Sequence, residues 1–202
     1  MPTRGRFIVF EGGEGCGKST QAARLASSLG AVLTREPGGT EAGEHIRALL
    51  LDPSLPAVVP RAETLLMLAA RAQHVEQVIA PALAAGRDVV CDRFSGSTIA
   101  YQGYGRGLAP ADLAWLSNWA ADGLEPDLVL LLQVTPAEAL ARRAARAGAD
   151  RIEGEAAEFF ARIDHGFAAL AAADRRRWRV VDGSGPVAAV ADRVAALLPP
   201  PG

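Results

Sequence analysis

Gly12-Gly13-Glu14-Gly15-Cys16-Gly17-Lys18-Ser19 sets two glycines with four residues between them immediately before Lys-Ser, the pattern of a phosphate-binding P-loop. Few sequence features restrict a fold so tightly. Such a loop works only between a buried strand and the start of a helix, where successive backbone N–H groups converge on phosphate oxygens and the helix dipole favours negative charge. Both neighbours are present. Residues 6–10 form a short apolar run with aromatic and β-branched members, and residues 18–29 read as a helix with Leu25 and Leu29 on one face. Lys18 is placed to reach β- and γ-phosphates and Ser19 to ligate Mg²⁺, with Thr20 following in the helix. The chain holds twenty arginines and one lysine, Lys18. That is the place where a compact ammonium on a flexible stem does what a planar guanidinium cannot.

Strand and helix patterns alternate along the rest of the chain. Strands are expected at residues 31–34, 88–91, 128–133 and 179–181. Helices are expected at 41–51, 61–85 with a kink at Pro81, 109–121, 136–147, 156–173 and 186–198. Thr135-Pro136-Ala137-Glu138 is a capping box with proline at the first helical position. This alternation implies a parallel α/β sheet covered on both faces. At 202 residues, with half of them apolar, one domain of residues 1–202 is enough to bury the core.

Composition excludes several classes. A net charge of −2 gives no basic field for nucleic acid or anionic lipid. No apolar stretch is long enough to span a bilayer, and none follows the first residues as a signal peptide would, so a cytoplasmic protein is expected. Two cysteines, Cys16 and Cys91, make neither a disulfide framework nor a zinc site. Cys16 reads as a small residue in a tight loop. His45 and His74 sit on helical faces with no partner evident in the spacing, and take no role.

Two further segments carry chemistry. Residues 88–91 end in Asp92-Arg93, at the carboxyl edge where open α/β sheets bind ligands. Asp92 there can hold a magnesium water shell and Arg93 can grip a phosphate through two N–H groups. Residues 142–151 carry Arg142, Arg143, Arg146 and Arg151 around a glycine. They read either as a solvated helix face or as a mobile segment that closes over the reacting phosphates.

With these motifs in order, the chain resembles the bacterial thymidylate kinases from about residue 7 to residue 181. The resemblance rests on the P-loop string from Phe10 to Thr20, Thr34-Arg35-Glu36-Pro37-Gly38-Gly39-Thr40, Ala70-Arg71-Ala72-Gln73, Asp92-Arg93-Phe94, Ser97-Thr98-Ile99-Ala100-Tyr101-Gln102-Gly103, Gly105-Arg106-Gly107 and Asp150-Arg151-Ile152-Glu153. It implies a single-domain P-loop kinase with a short Arg-rich lid at about residues 143–155. That kinase would move a phosphoryl group from ATP, with Mg²⁺, to dTMP, as a cytoplasmic homodimer with no nucleic-acid or membrane partner. Glu14 would receive the 3′-hydroxyl of the acceptor sugar, and Arg93 would clamp its phosphate. Arg71 would meet the O4 edge of thymine with Ser97, Thr98 and Gln102 nearby. Tyr101 would crowd out a 2′-hydroxyl, and Pro37, through a cis bond, would shape the base pocket. Arg146 and Arg151 would be lid arginines, since the P-loop itself holds none. Two positions depart from the family pattern. Met67 stands where an aromatic ring usually stacks on the base, and Phe94 replaces a more polar residue. The rivals are another nucleotide kinase with the same cradle, or a P-loop switch that signals rather than transfers.

Overall fold

The computed structural model describes residues 4–54, 58–145, 151–152 and 155–198. Five strands, β1 (Phe7–Glu11), β2 (Val32–Arg35), β3 (Val89–Asp92), β4 (Leu128–Gln133) and β5 (Trp178–Asp182), form one sheet in the order β2-β3-β1-β4-β5. Every pairing is parallel. Between them run α1 (Lys18–Leu29), α2 (Glu41–Leu51), α3 (Pro60–His74), α4 (Ala80–Ala84), α5 (Ser95–Thr98), α6 (Pro110–Ala120), α7 (Pro136–Ala144), α8 (Ala157–Ala173) and α9 (Val187–Ala195).

Side chains alternate across β1, so one strand feeds two cores. Ile8 and Phe10 pack with Leu25, Val190 and Val194 beneath α1 and α9. Phe7 and Val9 pack with Ile79, Leu83 and Phe94 on the opposite face. Both faces are covered, which is why β1 and β4 read as unbroken apolar runs rather than alternating ones. A third cluster joins Tyr101 and Leu131 to Phe159, Ile163 and Phe167 of α8.

The expected elements are present with ends shifted by a few residues. The long helix after residue 60 stays helical, but it loosens before the proline. Val75–Ile79 is a π-helical turn, closed by the N–H of Ala80 on the carbonyl of Val75. Pro81 has no N–H to give and its ring crowds the carbonyl four residues back, and the wider turn accommodates both. A second helical segment was not expected at all: α5 runs into a π-helical stretch, Ile99–Gly105. Its glycines hide the helical pattern, yet Gly105 is there because of packing. A Cβ on it would lie 2.7 Å from the Phe159 ring, and one on Gly166 would lie 2.7 Å from Tyr104. A glycine on each segment, facing an aromatic ring of the other, lets this segment and α8 approach closely.

The strand order reverses direction of growth between β1 and β3, which opens the crevice at their carboxyl ends. Phe10 pairs with Asp92 in register. The P-loop leaving β1 and Asp92-Arg93 leaving β3 are therefore side by side.

Candidate active site

The loop from Gly12 to Gly17 turns back over β1. Gly12 has φ 141°, and a Cβ there would lie 2.4 Å from the Leu132 carbonyl, so glycine is required. α1 starts at Lys18 with Gly17 as its cap and no capping side chain. Its first N–H groups are thus left for a ligand rather than for the protein. Lys18 is buried and spans the loop, donating from Nζ to the Gly13 carbonyl at 2.7 Å. Cys16 is buried behind it, with Sγ 3.5 Å from the same nitrogen, as expected of a small packing residue.

One cavity begins here. Glu14, Gly15, Gly17, Lys18 and Ser19 line one end; Pro37, Met67, Arg71, Thr98 and Gln102 line the other, with Asp92, Arg93, Phe94, Ser97 and Tyr101 between them. Gly12, Gly13 and Cys16 support the loop from behind, and Thr20 is exposed on α1. The Ser19 hydroxyl donates to Asp92 Oδ2. Asp92 Oδ1 is buried with no hydrogen-bond partner. A buried carboxylate oxygen without a partner is costly unless something else meets it, and beside a hydroxyl and a phosphate cradle the donor set suits a divalent cation.

Arg93 stands at the centre. It has φ 74°, a left-handed backbone that costs a non-glycine residue on the order of 1 kcal/mol and that folds retain where it serves a site. Its Nη1 donates to the Gly12 carbonyl and to Ser97 Oγ, both at 3.1 Å. Its Nη2 donates to Glu14 Oε1 and to the Tyr101 hydroxyl oxygen at 3.0 Å, and its guanidinium lies 4.9 Å over the Tyr101 ring. Burial pushes the Arg93 pKa down, but Glu14, Tyr101, Asp92 and Glu11 together outweigh it and hold the value above the usual one. Burial also pushes the Tyr101 hydroxyl up. Glu11, at the end of β1, accepts from the N–H groups of Phe94 and Ser97 and from the Ser97 hydroxyl. It thereby ties the start of α5 to β1. Burial raises its carboxyl pKa, an effect that those bonds and the Arg93 charge only partly offset.

At the far end the Glu36–Pro37 bond is cis, as the resemblance implied. Arg71 is buried and donates to Glu36, Ser117 and Thr98. Its guanidinium lies 4.9 Å over the Phe94 ring, which explains the apolar residue after Asp92-Arg93: it is a platform for Arg71. Met67 both lines the cavity and packs on the Tyr101–Phe159 cluster. Gln102 borders the cavity and donates its amide N–H to buried Glu63 at 3.0 Å.

The arginine-rich segment is only partly described; Arg146, Asp150 and Glu153 lie outside the described residues. Arg142 reaches the Gly15 and Cys16 carbonyls at 3.5 Å and the Gly183 carbonyl at 3.1 Å. Arg151 is held by Glu63 at 2.7 Å and by the Leu50 carbonyl, not by the P-loop. Three residues carry more than spacing suggested. His74 is buried with partners on both ring nitrogens, which overturns its assignment as a helical-face residue with none. Glu11 and Glu63 organise the site from behind, and only their burial reveals it.

A P-loop, a hydroxyl–carboxylate pair suited to a divalent cation and the arginines Arg71 and Arg93 in one crevice define a P-loop nucleotide phosphotransferase. Comparison with known proteins narrows it. The family profile described as thymidylate kinase matches residues 10–194. A thymidylate kinase of Pelotomaculum thermopropionicum is 53% identical over 188 residues, covering 90% of this chain and 87% of the relative. That of Geobacter sulfurreducens is 48% identical over 205 residues, covering 96% of each. The crystal structure of thymidylate kinase from Ehrlichia chaffeensis superposes with a TM-score of 0.78 at 32% identity, covering 96% of this chain and 98% of that one. The chain belongs to the thymidylate kinase family. Its reaction is the transfer of a phosphoryl group from ATP to dTMP, giving dTDP on the route to dTTP.

Proposed function

We propose that the crevice divides this reaction between two ends, with Arg93 at the junction. The observation that carries the division is the shared cavity, whose P-loop end offers a cradle and whose other end offers a buried arginine and apolar walls. ATP binds with its phosphates over residues 12–20, where Lys18 neutralises the transferring group. Ser19 and Asp92 would hold Mg²⁺, and the buried Asp92 Oδ1 without a partner supports that assignment. The ion would supply positive charge that offsets the donor phosphates' repulsion of the incoming acceptor.

The dTMP phosphate meets Arg93. In this structure Glu14 and Tyr101 occupy that guanidinium, so acceptor binding exchanges one anion for another. Glu14 then takes the sugar 3′-hydroxyl, and Tyr101 fills the space of a 2′-hydroxyl. Arg71 meets the base edge with Thr98, while Met67, Ser97 and Pro37 shape the walls. Gln102 acts from behind through Glu63. The acceptor is an ionised phosphate, so no strong general base is needed and catalysis is positioning and charge neutralisation. Residues 143–155 act as a lid in the single domain 1–202, with Arg146 and Arg151 supplying charge to the transferring phosphoryl. For Arg151 that requires leaving Glu63. The enzyme is proposed to work in the cytoplasm as a homodimer.

Ser19→Ala and Asp92→Asn test the division. Both should raise the magnesium concentration needed for half-maximal rate, with the KM for dTMP little changed. Equal sensitivity of dTMP binding to these variants would refute it.

A further inference from the structure

His74 lies on α3, one turn beyond Arg71, and is completely buried. Its Nε2 is 2.6 Å from Thr34 Oγ1 on β2, and its Nδ1 is 3.1 Å from Glu36 Oε1. Glu36 is buried as well, and its other oxygen accepts from Arg71 Nε at 2.8 Å. A carboxylate only accepts, so the ring must present a proton on Nδ1 towards Glu36, leaving Nε2 to the Thr34 hydroxyl. The result is a continuous chain, Thr34–His74–Glu36–Arg71, that links β2, the loop before Pro37 and α3. Gly39 fits the same arrangement. A Cβ on it would lie 2.5 Å from His74 Nε2, so the imidazole fills the space that a glycine leaves in this loop. Arg71 is one end of the chain, and its remaining bonds go to Thr98 and Ser117. An arginine that reads a base edge must hold its planar fork still, and here the orientation of the fork depends on the carboxylate beside it.

We propose that His74 is a positioning residue for acceptor recognition: it fixes Glu36, and through Glu36 the guanidinium of Arg71. This rests on the reading of Arg71 as the group that meets the acceptor base. His74 touches no substrate, and its effect belongs to dTMP binding rather than to the ATP end of the crevice.

Steady-state kinetics with dTMP and ATP varied separately test it on the purified full chain. His74→Gln places its amide near the Nε2 position and leaves Glu36 Oε1 without its donor. His74→Asn keeps an amide N–H near the Nδ1 position. The expected result for His74→Gln is a rise of about tenfold in the KM for dTMP, with kcat and the KM for ATP within about twofold. His74→Asn should recover most of that loss. In an Arg71→Ala background His74→Gln should add nothing further to the KM for dTMP, because nothing remains to be positioned. If Arg71→Ala raises the KM for dTMP while His74→Gln does not, the positioning role is wrong and the reading of Arg71 stands. If Arg71→Ala leaves dTMP binding unchanged, the reading of Arg71 fails and takes this inference with it. A fall in kcat with both KM values raised alike, a lowered Tm and no recovery in His74→Asn would make His74 merely structural and overturn the proposal.

Discussion

Single side chains set the chemistry, and two of them give sharp expectations. Lys18 is the chain's one lysine and sits buried inside a loop that its own ammonium spans. Lys18→Arg keeps the charge but puts a planar fork where the cradle surrounds a point charge. kcat should fall by two orders of magnitude or more, roughly 3 kcal/mol of transition-state stabilisation, as read by a coupled ADP-release assay. Normal turnover in that variant would remove the basis for the ATP-end assignments. Arg93→Ala should cost about 2–4 kcal/mol in kcat/KM for dTMP while leaving the KM for ATP nearly unchanged. Part of that cost would come from Glu14 and Tyr101, which lose their shared cation. An equal loss of ATP binding would mean that Arg93 serves the donor side.

At the scale of elements, the segment Ser95–Gly105 decides how the acceptor end is built. It carries Ser97, Thr98, Tyr101 and Gln102 along one helical path, anchored at its start by Glu11 and closed on α8 through Gly105. Gly105→Ala would force a Cβ against Phe159 and Ile163, both buried. Denaturant unfolding should show a loss of about 1–3 kcal/mol, and an unchanged midpoint would show that α8 can move aside. Met67, on α3, borders both the cavity and the Tyr101–Phe159 cluster. Met67→Phe should extend a flat ring into the cavity and lower the KM for dTMP, since aromatic stacking adds roughly 0.5–1.5 kcal/mol beyond burial. A lower Tm with the same KM would show that the ring went into the core instead. This segment was also the least legible part of the sequence. Its glycines read as a loop because the contacts that require them are distant in sequence: Gly105 faces Phe159 of α8 and Gly96 faces Trp178 of β5.

The molecule as a whole is tied together by charge as well as by its sheet. Glu63 on α3 is 1% exposed and takes hydrogen bonds from Gln102, Arg106 and Arg151. Burial raises its pKa, but the three donors outweigh burial and hold it below the usual carboxylate range. Its contribution to stability is therefore present above its unfolded pKa and lost as pH falls through the lower folded one. Glu11 has the opposite sign, because burial raises its value. Glu63→Gln should flatten the acid side of the Tm–pH curve between about pH 5 and 3, whereas an unchanged acid limb would mean that the ion cluster adds no net stability. On the outside, Trp115 and Trp119 of α6 are 66% and 71% exposed, with Leu65 on neighbouring α3 at 62%. So much exposed apolar surface on adjacent helices supports the proposed homodimer. Sedimentation should give twice the chain mass for the native protein and one chain mass for Trp119→Glu; a native monomer would contradict the proposal.

The amino-acid sequence by itself determined the strand–loop–helix at residues 6–29, the parallel α/β class and the position of the P-loop at the end of the first strand. Each depends on local spacing: glycines where the backbone must turn, and apolar runs where both faces of a strand are covered. The strings Arg35–Thr40 and Ser97–Gly103 could be matched to a family, but their roles could not be derived from their order. Only the tertiary structure placed Phe94 under Arg71, turned Glu11 onto the start of α5, and set His74 between Thr34 and Glu36. These contacts join residues 23 positions apart for Phe94 and Arg71 and 83 apart for Phe94 and Glu11. A buried polar group takes its function from whichever partner satisfies it, and packing of the sheet against its helices chooses that partner.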